Sequence, residues 1–297
     1  MPMKNVARIG IVIAASVPPI EGFKEGLSQF GLVEGLNVNF EVRVAHGQLD
    51  QLPGFATEMV SLDVDIIAVI GAVTVRAAQK ATSTIPIVFS VVVEPIGDGL
   101  ATSLQQPGGN VTGVTTFDPQ QARTQLEFLK MVRPALARVA ILSDLGVSEC
   151  LSNSNRDAAQ ELGMEPQVIR VNGPFPDYEG AFSAMDRERA EALVVLEEPI
   201  NAACRKQIAD LASIRRLPTV FAREQVDAGG LIAYGTSIRE AAKHMARYVD
   251  KIFKGAKPGD LPIEAVLRHE LVVNLSTARK LGLAVPPELL NRANQVI

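Results

Sequence analysis

Excess basic charge is the first thing this 297-residue chain lacks: 29 Lys and Arg stand against 33 Asp and Glu, a formal net charge of −4. A nucleic-acid or anionic-membrane binder carries a basic footprint, so neither nucleic acid nor membrane is expected as a partner. Long runs of like charge are absent as well, and the densest cluster, Asp186 to Glu191, mixes signs as a solvated helix face does. The two cysteines, Cys150 and Cys204, make no disulfide framework. Apolar runs are short. The longest, Ile9–Val17 and Ile85–Val93, have the length of strands and fall well below the ~18 residues that span a membrane. The opening MPMKNVARIG leads almost directly into the first apolar stretch, with no n-region, h-region and cleavage site of its own. Two readings of location stay open: a cytosolic protein, or one whose signal is removed or lies outside this sequence.

Several chemical signatures are missing too. There is no G-x-x-x-x-G-K-[ST] phosphate loop and no G-x-G-x-x-G fingerprint, since Gly97-Asp98-Gly99 is only a short turn. There is no G-x-S-x-G elbow. The histidines at 46, 244 and 269 show no metal-ligand spacing. No cofactor, metal or catalytic residue is therefore expected. A two-cysteine racemase needs one thiol on each side of its substrate, whereas Cys150 and Cys204 follow strands of the same half of the chain. Unpaired helix cysteines are the first expectation for them, a disulfide the second and catalysis the last.

What remains is an ordinary globular composition, 47% hydrophobic and 21% charged with 23 Gly and 18 Pro, and a length that suggests two domains. Short Val- and Ile-rich runs read as buried strands: Arg8–Ala15, Asp65–Ile70, Ile85–Val93, Arg138–Leu142, Glu191–Leu196, Leu217–Ala222 and Leu231–Tyr234. Helical spacing fills the stretches between. One helix starts near Pro19 and presents Ile20, Phe23 and Leu27, and an Ala-rich one starts near Thr74. A third spans Ser237 to Phe253, with Ala241, Met245, Tyr248, Val249 and Ile252 on one stripe and Gly255 as its stop. Strand–helix alternation of this kind predicts an α/β protein with parallel sheets covered on both faces.

The chain also repeats itself. RIGIVI at Arg8 resembles RVAILS at Arg138, VDIIAVIG resembles AEALVVLE, IPIVFS resembles LPTVFA, and GGNVTGV resembles GGLIAYG. Measured from the first Arg of each half, the later landmarks fall at 56 and 52, 77 and 79, and 100 and 91 residues. Two similar open parallel-sheet lobes follow from this. Lobe one is expected to take residues 1–117 plus about 236–262, and lobe two 118–235 plus about 263–297. The tail after Gly235 is not repeated. It is expected to cross back between lobes and so form a multi-crossing hinge suited to closing on a ligand.

Open parallel sheets bind ligands beyond the carboxyl ends of their strands, which converts the strand pattern into candidate ligand-binding residues. Lobe one offers Ala15 and Ser16, then Gly71, Ala72 and Thr74, then Val93 and Glu94, then Thr115 with Thr116. Lobe two offers Ser143 and Asp144, Glu197 to Pro199, and Arg223 with Glu224, while Tyr234 and Phe221 supply rings. The Gly71–Thr74 turn precedes a helix, whose free N–H groups and dipole suit a carboxylate; Thr74 as a cap alone is the competing reading. Arg223 either forks onto a ligand carboxylate or pairs with Glu224, Glu197 or Asp144. Asp144, Glu197 and Glu198 are candidate acceptors for a ligand amine.

The segments RIGIVI, FKEGLSQFGLVEGLNV, MVSLDVDIIAVIGA, ATSTIPIVF, GDGLATSLQQPGGNVTGVT, LPTVFAREQVDAGGLIAYG, YVDKIFKGAKPGDLPIE and ELVVNLSTARKLGLAVPP cover nearly the whole chain. Together they resemble the ABC-transporter substrate-binding protein family with the type I periplasmic-binding-protein fold, in the group of tryptophan- and tyrosine-type binding proteins. The resemblance implies a small organic solute, an amino acid or an aromatic or aliphatic carboxylate, closed between two lobes. It also implies delivery to an ABC permease and ATPase, no chemistry on the ligand, a periplasmic or extracytoplasmic location, and a monomer. The cleft positions it implies are Ser16, the Gly71–Thr74 and Val93–Pro95 turns, Thr115, Asp144, Glu197 and Arg223. Two loops depart from the family pattern. SDLGVSEC stands in place of an Asn-Pro-type turn, and LEEP stands in place of an Asp-Asn-type turn, which moves a carboxylate by a methylene. A cytosolic small-molecule sensor and a cleft enzyme such as a racemase remain the alternatives.

Overall fold

A computed structural model describes residues 6–15 and 18–297. Ser16, one of the candidate residues, lies outside the described residues. Contacts divide the chain into two compact units, Met1–Phe117 with Ile238–Leu267, and Asp118–Ser237 with Arg268–Ile297.

The first unit runs β1 (Ala7–Ile13), α1 (Pro18–Gln29), β2 (Val38–Val44), α2 (Leu52–Ser61), β3 (Ile66–Ile70), α3 (Ala72–Ala81), β4 (Ile87–Ser90) and β5 (Val111–Thr115). The second unit then runs α4 (Gln121–Val132), β6 (Arg138–Asp144), α5 (Cys150–Glu161), β7 (Glu165–Val171), α6 (Tyr178–Arg187), β8 (Ala192–Val195), α7 (Pro199–Ala203), α8 (Arg205–Ile214), β9 (Thr219–Phe221) and β10 (Ile232–Thr236). The chain returns to the first unit with α9 (Ile238–Phe253) and β11 (Glu264–Ala265). It ends in the second with β12 (His269–Val273), α10 (Leu275–Leu281), α11 (Pro287–Arg292) and β13 (Gln295–Val296).

The first sheet has the order β11-β5-β4-β3-β1-β2 and is parallel throughout. Both its faces are covered, so its inner strands are continuous apolar runs rather than alternating ones. On one face Ile9, Ile11 and Ile13 pack with Ile20, Phe23 and Leu27 of α1 and with Ala241, Met245 and Val249 of α9. On the other, Val12, Ile67 and Phe89 pack with Ala56 and Met59 of α2 and Val75 of α3. Helices α1 and α9 approach through glycine: a Cβ on Gly22 would sit 2.4 Å from the Arg239 carbonyl oxygen, and one on Gly26 would sit 2.5 Å from that of Lys243. β11 adds to the outer edge of β5, with Glu264 beside Val114 and Ala265 beside Thr115. That pairing holds the chain in the first unit as far as Leu267, later than the boundary near 262 expected from sequence.

The second sheet has the order β13-β12-β10-β9-β8-β6-β7. Its first five strands in sequence repeat the order of the first sheet, and β12 is added antiparallel to β10. One core face joins Leu126, Phe128 and Leu129 of α4 to Val139, Ile141, Ile232 and Leu271. The other joins Tyr178, Phe182 and Met185 of α6 to Leu142, Leu193, Val195 and Phe221.

Candidate functional site

Because β5, β4, β3 and β1 are neighbours in the first sheet, the turns that follow them lie side by side at its carboxyl edge. Ala15 is half-buried after β1. Gly71 follows β3 with φ of +87°, a conformation that glycine adopts without strain, and its N–H donates to the Ser90 carbonyl at 2.9 Å. Helix α3 then begins at Ala72 with no side-chain cap. The Thr74 hydroxyl turns backwards and donates to the carbonyl oxygens of Ile70 and Gly71, each at 2.6 Å, while the residue is buried. It therefore braces the strand–helix turn and leaves the first N–H groups of α3 without a side-chain acceptor of its own. Val93 is half-buried and Glu94 exposed. Thr115 is buried, with its Oγ1 accepting from the Phe117 N–H at 3.1 Å and standing 3.5 Å from the Val93 carbonyl.

In the second unit the neighbours are β10, β9, β8 and β6, which places Arg223, Glu197 and Asp144 at or just beyond successive strand ends and Tyr234 in the middle of β10. Asp144 is fully buried. Its Oδ1 accepts from the Gly146 N–H at 2.7 Å and its Oδ2 faces the Ile200 N–H at 3.4 Å. Burial raises its pKa above the ordinary aspartate value, against the pull of those two N–H groups and of Arg170. The carboxylate is thus committed to the turn after β6 and the first turn of α7.

The two glutamates of LEEP separate. Glu197 is half-buried, whereas Glu198 is 3% exposed. Glu198 accepts from the Ser143 hydroxyl at 3.1 Å and from the Asp144 N–H. Burial pushes its pKa up to about 8, with the neighbouring Asp144 charge adding to the rise and the two hydrogen bonds and Arg170 opposing it. Residues without an obvious sequence signal complete this cluster. Arg170 donates to the carbonyl oxygens of Asp144 and Val147 at 3.2 and 3.0 Å and pairs with Glu149. Asn201 donates to the Leu142 carbonyl at 3.0 Å, and the Tyr178 hydroxyl lies 3.3 Å from Asn201 Oδ1. Burial raises the Cys204 thiol above the usual range, with the Tyr178 hydroxyl opposing the rise, which makes it a poor nucleophile. Cys150 and Cys204 form no disulfide.

Arg223, which follows β9, donates through Nε to Glu270 Oε2 at 2.7 Å rather than to Glu197 or Asp144, while the Glu224 side chain lies outside the described residues. Tyr234 meets Phe128 edge-on at 5.1 Å and stacks on His269 at 5.3 Å, and His269 Nε2 lies 3.3 Å from Asp118 Oδ2. Phe221 is in the core. Sequence reasoning missed Glu270 and His269. The signal that would have found them is the pair of adjacent polar residues, His269 and Glu270, opening a strand that continues as Leu271, Val272 and Val273.

Among the described residues no group of three His, Cys, Asp or Glu is placed to hold a metal ion, and no helix is long and apolar enough to cross a membrane. Comparison with known proteins then adds identity to geometry. The tyrosine-binding protein of Clostridioides difficile (strain R20291) is 24% identical over 287 residues, 94% of this chain and 82% of that protein. The crystal structure of a conserved domain protein from Vibrio cholerae O1 biovar El Tor strain N16961 superposes with a TM-score of 0.89 at 25% identity, covering 99% of this chain and all of that one. The crystal structure of an ABC domain from Streptococcus pneumoniae in complex with L-Trp also has a TM-score of 0.89, at 22% identity, covering 98% of this chain and all of that one. The fold is that of the type I periplasmic binding proteins. The family described as ABC transporter substrate binding protein matches residues 11–297, and the chain belongs to that family.

Proposed function

We propose that this protein is the solute-binding component of an ABC-type uptake system. Outside the cytoplasm it takes a free amino acid, with tyrosine and tryptophan foremost, and hands it unaltered to a membrane permease powered by an ATPase. The observation that carries this reading is a pair of opposite charges on neighbouring strand ends of the second unit: the Arg223 guanidinium after β9 and the Glu197 carboxylate after β8. A zwitterion presents the complementary pair, a carboxylate for the planar guanidinium fork and an ammonium for the glutamate. Tyr234 supplies an aromatic surface on the next strand. In the first unit Ala15, the N–H groups of the Gly71–Thr74 turn with Ala72 opening α3, and the Val93, Glu94 and Thr115 positions are the proposed ligand contacts, and Ser16 joins them on the sequence alone. The relative named for tyrosine and the structure solved with L-Trp favour an aromatic side chain. The protein acts as a monomer and needs no cofactor.

The test is a panel of amino acids, aromatic acids, short aliphatic acids, nucleosides and sugars against protein refolded to strip carried ligand, read by calorimetry and thermal shift. An aromatic amino acid is expected to bind, and at 100 times its dissociation constant to stabilise the protein by about 2.7 kcal/mol. A panel in which no amino acid binds while a sugar or nucleoside does would overturn the reading.

A further inference from the structure

We infer that Glu270 is the positioning residue that aims Arg223 at the carboxylate of the solute, an inference that rests on the amino-acid reading above. The geometry is specific. Arg223 leaves the end of β9, and its Nε reaches Glu270 Oε2 on β12 at 2.7 Å, with β10 lying between those two strands in the sheet. Both side chains are largely buried, 20% and 25% exposed. In the antiparallel register Glu270 stands opposite Gly235, so no cross-strand side chain competes for its carboxylate. Among the described residues no other hydrogen bond to Arg223 is made.

A guanidinium is rigid and planar. A bond through Nε fixes both the plane and the heading of the group, and the edge formed by the two terminal nitrogens is then the one left to meet a carboxylate with two parallel bonds. A flexible arginine must give up rotamer freedom when its ligand arrives, whereas one already held has given it up on folding. Glu270 also supplies a compensating charge that lets a guanidinium stay largely buried while the site is empty. It comes from the last segment of the chain to enter the unit, far in sequence from the strand end that it serves.

The two contributions of Glu270, an acceptor and a negative charge, act in opposite directions on an anionic ligand and separate in variants. L-Tyrosine and tyramine, which keeps the ring and the amine but has no carboxylate, are titrated calorimetrically into the wild type, Glu270→Ala, Glu270→Gln, Arg223→Gln and the Arg223→Gln/Glu270→Ala double variant, with the melting midpoint of each ligand-free protein recorded. Glu270→Ala is expected to weaken L-tyrosine about tenfold and to leave tyramine within twofold. Glu270→Gln, which retains an acceptor, restores most of that loss, and the double variant binds no worse than Arg223→Gln. Glu270→Ala binding L-tyrosine as the wild type does, or losing L-tyrosine and tyramine in equal measure, overturns the positioning role. If Arg223→Gln leaves L-tyrosine unaffected, or the wild type binds neither L-tyrosine nor L-tryptophan, the reading beneath the inference fails instead. The two failures are thereby told apart.

Discussion

Replacing Glu198 with glutamine tests whether a buried carboxyl at the heart of the second unit keeps its proton. Glu198 is 3% exposed and its pKa is pushed from the ordinary 4.5 to about 8, chiefly by burial. Below pH 4.5 the folded and unfolded chains both hold the proton and the group is neutral to stability. Between pH 4.5 and about 8 the unfolded chain releases it while the folded chain keeps it, so stability falls as the pH rises through that window and the loss is complete above it. At about 1.4 kcal/mol per pH unit of separation, the loss is about 3 kcal/mol at pH 7 and about 5 kcal/mol at pH 9. Glutamine takes no part in this titration. Its carbonyl oxygen replaces the acceptor for the Asp144 N–H, and its amide faces the Ser143 hydroxyl, which can turn to accept. Glu198→Gln is therefore expected to match the wild type at pH 4, to gain about 3 kcal/mol at pH 7 and to gain about 5 kcal/mol at pH 9. Urea unfolding at the three pH values measures the differences. A gap between variant and wild type that does not change with pH would refute the reasoning, because it would mean that Glu198 is ionised in the folded protein throughout.

Other perturbations follow from the same contacts. Gly113→Ala places a Cβ 2.1 Å from the Phe89 carbonyl oxygen of the adjacent strand, whereas Gly10→Ala meets only the Met59 side chain, at 2.6 Å; backbone cannot yield and a methionine can, so Gly113→Ala should lower the melting midpoint far more. Asn201→Ala removes the donor to the Leu142 carbonyl at 3.0 Å inside a buried cluster, and a loss of about 1–3 kcal/mol is expected by denaturant titration. All three tyrosines, Tyr178, Tyr234 and Tyr248, have phenols raised above the ordinary 10, with burial the leading cause. Ultraviolet titration of the folded protein at pH 10.5 should thus show less phenolate than appears once denaturant is added, and full phenolate absorbance before unfolding would contradict the burial.

Much of this fold is legible in the sequence because burial on two faces writes itself as unbroken apolar runs. Strands β1, β3, β4, β6, β8, β9 and β10 are all interior, and each appears as such a run. Among the strands that the sequence did not reveal, β11 and β13 are only two residues long, and β2 and β7 are the corresponding edge strands of the two sheets, VNFEVRV and EPQVIRV, with most of their residues only half-buried. An edge exposes one side to water and loses the signal. The site is harder for a different reason. Placement at a strand end identifies a loop, but it does not say which atoms are already taken. Thr74 and Asp144 spend their oxygens on backbone groups, Arg223 is bonded through Nε to a residue 47 positions away, and neighbouring glutamates in LEEP differ in burial. Such commitments depend on what the fold brings alongside, and no local pattern records them.

The packing of α9 against α1 has a consequence for the order in which the protein can be built. Ala241, Met245, Tyr248 and Val249 belong to the same core as Ile9, Ile11, Phe23 and Leu27, so the amino-terminal unit lacks one wall of its interior until residues beyond 237 have been synthesised. The second unit waits in turn for β12, whose Leu271 and Val273 close its own core. A growing chain therefore exposes two half-covered sheets through most of its synthesis, and neither can be completed by a fragment that stops at Thr236. Contacts of such long sequence separation slow folding and prolong the exposure of apolar surface. Interleaving the two units couples their completion, so a truncation that removes α9 and everything after it should cost both of them at once.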